Sequence, residues 1–257
     1  MSTDVVDETE EEEYIPRGIE RFSASVAERH VSCHASAHLE AAIPGLKLPK
    51  EDRQKANAAN KGTFMHKVME DVSVLSPAEL LGLARAIEYI ATLRKQRRFK
   101  MEVEASGVGW WLSKKPRTSA DVVLWVKDQL EIVDYKFGKI PVEVDENSQL
   151  KFYALSFIHL APKAKGVTVH IVQPFADNIV SVYFTAAELE QFRVETANAD
   201  RAIQAGDLTF GPSDKGCLFC PANPHSRGQK ADKFCPVMLQ ILYPVKYDED
   251  AILDELS

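Results

Sequence analysis

The chain has 257 residues, with 38 acidic against 31 basic side chains and a net charge of −7. That length allows one large domain or two modest ones with ample core, and no apolar run approaches the roughly 20 residues that cross a membrane. The acidic start, Asp4 to Glu13, speaks against a secretory signal or a mitochondrial presequence, so a cytoplasmic location is expected. The charge is unevenly placed. Residues 4–13 hold seven acids and no base, and residues 247–257 hold five acids and no base. Without those twelve, 26 acids face 31 bases, so the body is mildly basic at +5 and the net charge does not exclude a nucleic-acid partner.

In chain order, residues 1–15 read as an acidic, disordered tail. Phe22 to Glu40 predicts one helix, opened by a serine cap at Ser23 or Ser25 and carrying Cys33 in its later turns. Residues 44–50 read as a loop. A helix over about Ala58 to Val72 follows, with Phe64, Met65, Val68 and Met69 on one broad face. Ser76-Pro77-Ala78-Glu79 opens another, with serine as cap, proline in the first turn and Glu79 completing a capping box. It runs to about Arg97. The period then changes. Glu102 to Trp111, Ala120 to Val126 and Leu130 to Phe137 predict strands, the last two joined as a hairpin. Residues 146–161 return to helix, Gly166 to Gln173 and Ile179 to Phe184 are two more strands, and a capped helix runs from about Ala186 to Ala205. A Gly/Pro/Cys-rich segment follows, then a second acidic tail over 247–257. The order predicts a mixed α/β domain around a central sheet.

The hairpin carries the candidate chemistry. Asp121 opens one strand and Asp134 lies near the end of its antiparallel partner, so both carboxylates fall at the same end. Asp134 and Lys136 are two residues apart and share a strand face. Two close carboxylates repel, and a divalent cation is the usual remedy. Alone, Asp134-Tyr135-Lys136 reads more readily as an exposed ion pair at a strand end, with Asp121 guarding the strand edge. His66 and Glu70 are one helical turn apart on one face, and so are Gln149 and Tyr153.

Gly62…His66…Glu70, Ala120-Asp121, Asp134-Tyr135-Lys136 and Gln149…Tyr153, in that order and spacing, resemble the RecB-type branch of the PD-(D/E)XK nucleases. Phe22-Ser23-Ala24-Ser25…Cys33 resembles the N-terminal helix of the members with an iron–sulfur cluster, among them the CRISPR adaptation exonuclease, the AddB nuclease domain and phage-encoded relatives. The resemblance implies a restriction-endonuclease-like fold, a central mixed β-sheet flanked by helices. One domain would span 16–246, with 58–205 as nuclease core and 22–57 and 206–240 as the cluster-bearing part. It implies that His66, Asp121, Asp134 and the backbone carbonyl of Tyr135 ligate Mg²⁺ or Mn²⁺, and that Lys136 is the catalytic lysine. Gln149 and Tyr153 would contact the DNA strand, and Glu70 would orient His66. Glu102 or Glu104, on the preceding strand, ranks lower as a metal neighbour. The implied activity is metal-dependent DNA exonuclease action in phage or bacterial recombination, repair or end processing, in the host cytoplasm if phage-encoded. Its partners would be single-stranded or free-ended DNA. A non-catalytic DNA-binding module, or a subunit active only within a larger complex, are the competing readings.

Four cysteines split one plus three, with Cys33 184 positions before Cys217, then Cys220, then Cys235 after a gap of 14 residues. In a reducing compartment this suggests metal ligation rather than disulfides. The resemblance implies a [4Fe–4S] cluster that joins the N- and C-terminal segments. Zinc is the alternative, because His225 in the long Cys220–Cys235 gap could replace a thiolate. Trp110 and Trp111 read as strand-end core aromatics, or as surfaces on which bases stack. Arg94 to Lys100 and Lys114 to Arg117 are basic groups near the sheet. No phosphate-loop motif occurs, so unwinding would fall to a partner such as a helicase, with a single-strand-binding or annealing protein as another candidate.

Overall fold

A computed structural model describes residues 22–42, 76–97, 100–138, 140–218, 220–223 and 235–238. Its centre is a five-stranded sheet in the order β1-β2-β3-β4-β5, formed by Lys100–Val108, Arg117–Val126, Gln129–Tyr135, Gly166–Gln173 and Asn178–Thr185. β3 and β4 pair in parallel and all other neighbours are antiparallel. The parallel pair requires a crossover, and the helix between them supplies it. The chain is therefore a mixed α/β fold with a central mixed sheet flanked by helices, as the element order predicts. Among the described residues no helix is long and apolar enough to cross a membrane.

Six helices lie among the described residues: α1 Ala27–Ser32, α2 Ala35–Ala42, α3 Pro77–Arg97, α4 Ser148–Phe157, α5 Ala186–Gln204 and α6 Asp214–Leu218. The middle strands are buried on both faces, which explains their near-continuous apolar runs. On one face, Val123, Ile132, Val169 and Ile171 pack with Phe152 and Phe157 of α4 and Leu189 and Phe192 of α5. On the other, Val122, Leu124, Val133 and Val172 pack with Ala86 of α3, with Tyr89, Ile90 and Leu93 beside them. α3 approaches the end of β4 so closely that a Cβ on Gly82 would lie 2.4 Å from the Pro174 carbonyl oxygen.

Three predicted elements differ, the first being β2, which opens at Arg117 rather than Ala120 and so carries Asp121 inside the strand rather than at its start. The helix expected over Phe22 to Glu40 is a 3₁₀ turn at Ala24–Val26 followed by α1 and α2, broken at Cys33. Cys33 has extended backbone (φ −142°, ψ 93°). The cause is tertiary. The Ser32 hydroxyl bonds back to the Glu28 carbonyl at 3.0 Å, and the Ala35 N–H donates to the Thr209 carbonyl at 3.0 Å rather than within a helix. The segment after α5 lies so close that a Cβ on Gly211 would meet the Ser32 carbonyl oxygen at 1.7 Å. β1 stops at Val108 rather than Trp111. Gly109 N–H bonds the Pro116 carbonyl at 2.8 Å and closes a turn, while Trp111 leaves the strand line to pack on Phe152 with ring centroids 5.0 Å apart.

Helix α5, predicted only as capped, begins with a capping box. The Thr185 hydroxyl accepts from the Glu188 N–H at 3.2 Å, and the Glu188 carboxylate accepts from the Thr185 N–H at 2.7 Å. Hydrogen bonds from the Thr185 hydroxyl and N–H hold the Glu188 carboxyl below its usual range. A depressed carboxyl stabilises the fold above its ordinary pKa, and that contribution is lost as pH falls through the lowered value. Thr185→Ala is expected to lower Tm at pH 7, with the gap to wild type narrowing in acid. Thermal melts across pH check this, and an unchanged gap contradicts it.

Candidate active site

The hairpin register builds the site. Val122 pairs with Val133, the last pair of the β2–β3 ladder, and Asp121 and Asp134 are the residues just beyond it on the two strands. On the other side of β2, Val103 pairs with Val122 and Ala105 with Ala120, which sets Glu104 at the level of Asp121. Three carboxylate-bearing positions thus form a row across β1, β2 and β3. The register separates Glu104 from Glu102, which pairs with Val123; nothing in the sequence distinguishes the two.

The Asp121 carboxylate accepts the Tyr135 N–H at 2.6 Å. This side chain takes a main-chain donor just where the β2–β3 ladder ends. Asp134 is only 5% exposed, and its Oδ2 lies 2.8 Å from the Lys136 ammonium. Among the described residues that contact is an ion pair, with no donor aligned on the buried oxygen as a hydrogen bond. Burial pushes the Asp134 carboxyl up, and the Lys136 charge and contact oppose it. Lys136 Nζ also lies 3.4 Å from Gln149 Oε1, and the Gln149 amide donates to the Tyr153 hydroxyl at 2.9 Å. Gln149 is placed by the start of α4, where the Asn147 side chain caps the Gln149 and Leu150 N–H groups. Burial, then the Asp134 carboxylate, raise the Tyr153 phenol. Burial and the Asp121 carboxylate push the Tyr135 phenol up to about 12. Both phenols stay neutral at ordinary pH.

The structure thus gathers Asp121, Asp134, Tyr135, Lys136, Gln149 and Tyr153 at one end of the sheet. His66 and Glu70 lie outside the described residues. The donors that are described suit a hard divalent cation in kind, two carboxylates with one buried oxygen lacking a hydrogen bond.

The four cysteines line a single pocket with Arg29, Leu39, Pro212, Gly216 and Met238 among its other walls. Cys33 reaches it from the break between α1 and α2, and Cys217 from α6. Cys220 and Cys235 are buried. Backbone bonds run from Cys220 N–H to the Cys217 carbonyl at 3.1 Å and from Cys235 N–H to the Ala222 carbonyl at 2.8 Å. Burial pushes the Cys220 thiol up, and the neighbouring Cys235 and Cys33 add to this against the Ala222 N–H and Arg29. No disulfide joins the four. Among the described residues no three His, Cys, Asp or Glu side chains are gathered closely enough to hold one ion as placed. The pocket brings the thiols together without closing a metal centre. The sequence singled out the cysteines but not Arg29, which is 7% exposed on the pocket wall and paired with Glu40.

Residues 111–256, more than half of the chain, match the family model described as "Protein of unknown function (DUF2800)", and the chain belongs to that family. The matched span contains Asp121, Asp134, Lys136, Gln149, Tyr153 and the last three cysteines, while Cys33 and His66 precede it. The chain is also similar to a solved structure titled "Crystal structure of SSO0001", at 14% identity over 76% of this chain and 81% of that one, with a TM-score of 0.36.

Proposed function

We propose that the chain is a metal-dependent deoxyribonuclease of the PD-(D/E)XK type, an exonuclease of the RecB/AddB-like branch that acts on single-stranded or free-ended DNA. The observation that carries this reading is the placing of Asp121 and Asp134 just beyond the last β2–β3 pair, with the Lys136 ammonium 2.8 Å from the buried Asp134 oxygen. Asp121, Asp134, the Tyr135 carbonyl and His66 are the ligands for Mg²⁺ or Mn²⁺. A cation bound there supplies charge that neutralises a phosphodiester and acidifies an attacking water. Lys136 holds that water or steadies negative charge on the phosphate. Gln149 fixes the ammonium from α4, and Tyr153 fixes Gln149. Glu102 or Glu104, on β1, is a lower-ranked further carboxylate for the cation or its water.

The four thiols are the ligands of a [4Fe–4S] cluster, or of Zn²⁺, that ties the α1–α2 break to the segment after α5. Their shared pocket supports this. The DNA would be met in recombination, repair or end processing in a bacterial or phage setting, with unwinding supplied by a partner.

One observation favours a second reading. A lysine paired with a buried aspartate is also what an inert strand end would hold, and a non-catalytic DNA-binding module would keep it. Anaerobically purified protein with end-labelled single- and double-stranded DNA and Mn²⁺ separates the two. Progressive loss of label-bearing product from the ends is expected. Binding without degradation would leave the module.

A further inference from the structure

The β1–β2 turn sets an indole at the surface against the later part of α4, the helix whose start carries Gln149. Trp110 is 47% exposed, although its neighbour Trp111 is drawn inward, where its Nε1 donates to the Thr196 hydroxyl at 2.9 Å. The exposed ring is held in place. Its Nε1 donates to the Leu155 carbonyl of α4 at 3.3 Å, and its edge meets Trp111 with centroids 5.7 Å apart at 77°. The turn beneath it is pinned by Gly109 N–H to the Pro116 carbonyl at 2.8 Å and by Ser113 N–H to the Asp200 carboxylate at 2.7 Å. An indole fixed at its polar end with half its surface in water is a preformed flat face.

Its surroundings select the occupant. Residues 109–117 contain no acid, and Lys114, Lys115 and Arg117 are all exposed. The bond to Leu155 places the ring on the α4 side of the sheet, the side of Asp121 and Asp134. Leu155 is six residues along α4 from Gln149, which meets Lys136, a helix rise of about 9 Å. An aromatic face flanked by cations is the combination that single-stranded nucleic acid uses, with bases stacking and phosphates paired to lysine and arginine. A duplex offers a base face only at its terminal pair, whereas a single strand offers one at every unpaired base.

We infer that Trp110 is a stacking platform for an unpaired base of single-stranded DNA, with Lys114, Lys115 and Arg117 tracking its phosphates toward the Asp121–Asp134–Lys136 centre. This rests on the nuclease reading for the direction of the strand, but the binding is separable from cleavage. Trp110 is here a positioning residue.

The test is equilibrium binding by the full chain in buffer without added divalent cation, so no cleavage intervenes. Fluorescein-labelled oligo-dT of 20 nucleotides, the same length of abasic oligomer and a duplex are the probes. Trp110→Ala is expected to weaken oligo-dT binding about tenfold or more and to leave abasic-oligomer binding unchanged. Trp110→Phe should keep most of the affinity, and the wild-type fluorescence quench on oligo-dT should shrink in that variant. Equal affinity of wild type and Trp110→Ala for oligo-dT overturns the inference. So does an equal loss on the abasic oligomer, which would mark a general structural effect, and so does failure of wild type to bind oligo-dT, which would assign the indole to a protein partner. Degradation of DNA with Mn²⁺ alongside unaltered Trp110→Ala binding would sink the platform and leave the nuclease reading standing.

Discussion

Lys136→Ala is expected to slow release of nucleotides from end-labelled DNA by about 10²- to 10³-fold, the loss typical when one preorganised charge-stabilising group is removed. The effect should fall on the chemical step, because the ammonium lies 2.8 Å from Asp134 and 3.4 Å from Gln149 rather than out in the basic turn. Affinity for DNA measured without a divalent cation should change little. The substitution also removes what opposes burial at Asp134, so that carboxyl rises further. The variant therefore binds the divalent cation differently as well as reacting slowly, and titrating Mn²⁺ separates the two. Activity that returns to the wild-type rate at high Mn²⁺ would make Lys136 a partner of Asp134 only.

Cys220→Ser is expected to remove the metal from the purified protein and to lower its Tm by 10 °C or more. Cross-linking a loop as long as the 184 positions between Cys33 and Cys217 is worth about 5 kcal/mol in the chain-entropy picture. A domain of this size shifts by roughly 2–4 °C per kcal/mol. Cys220 is the most telling of the four because burial pushes its thiol up, so it becomes a thiolate only against a cation. Iron content with a visible charge-transfer band in wild type supports the cluster, and stoichiometric zinc supports the alternative. A colourless wild type free of both metals, with the variant equally stable, contradicts a metal staple of either kind.

Where local pattern and burial agree, the sequence was easy to read. β4 is buried along nearly its whole length because both its faces are covered, and its predicted span, Gly166 to Gln173, is the observed one. α5 carries its own start signal in Thr185 and Glu188. The hairpin that aligns Asp121 with Asp134 follows from the short connection at Lys127 and Asp128, which fixes register. What was not legible depends on partners distant in sequence. The break at Cys33 is imposed by a segment some 175 positions later, through Thr209 and Gly211. The early end of β1 follows from Trp111 packing on α4 and α5. The split between the two tryptophans, one inward and one exposed, is a property of that turn.

The measurement that bears most directly on the central claim is the rate of nucleotide release by Asp134→Asn in Mn²⁺, set beside its stability in metal-free buffer. Asp134 is a buried carboxylate whose Oδ2 has no aligned hydrogen bond among the described residues. The isosteric amide removes the cost of burying charge while leaving Lys136 partly exposed to water. Asp134→Asn is expected to be at least as stable as wild type and to release no nucleotides above background. A folded Asp134→Asn protein that degrades DNA at the wild-type rate would contradict it.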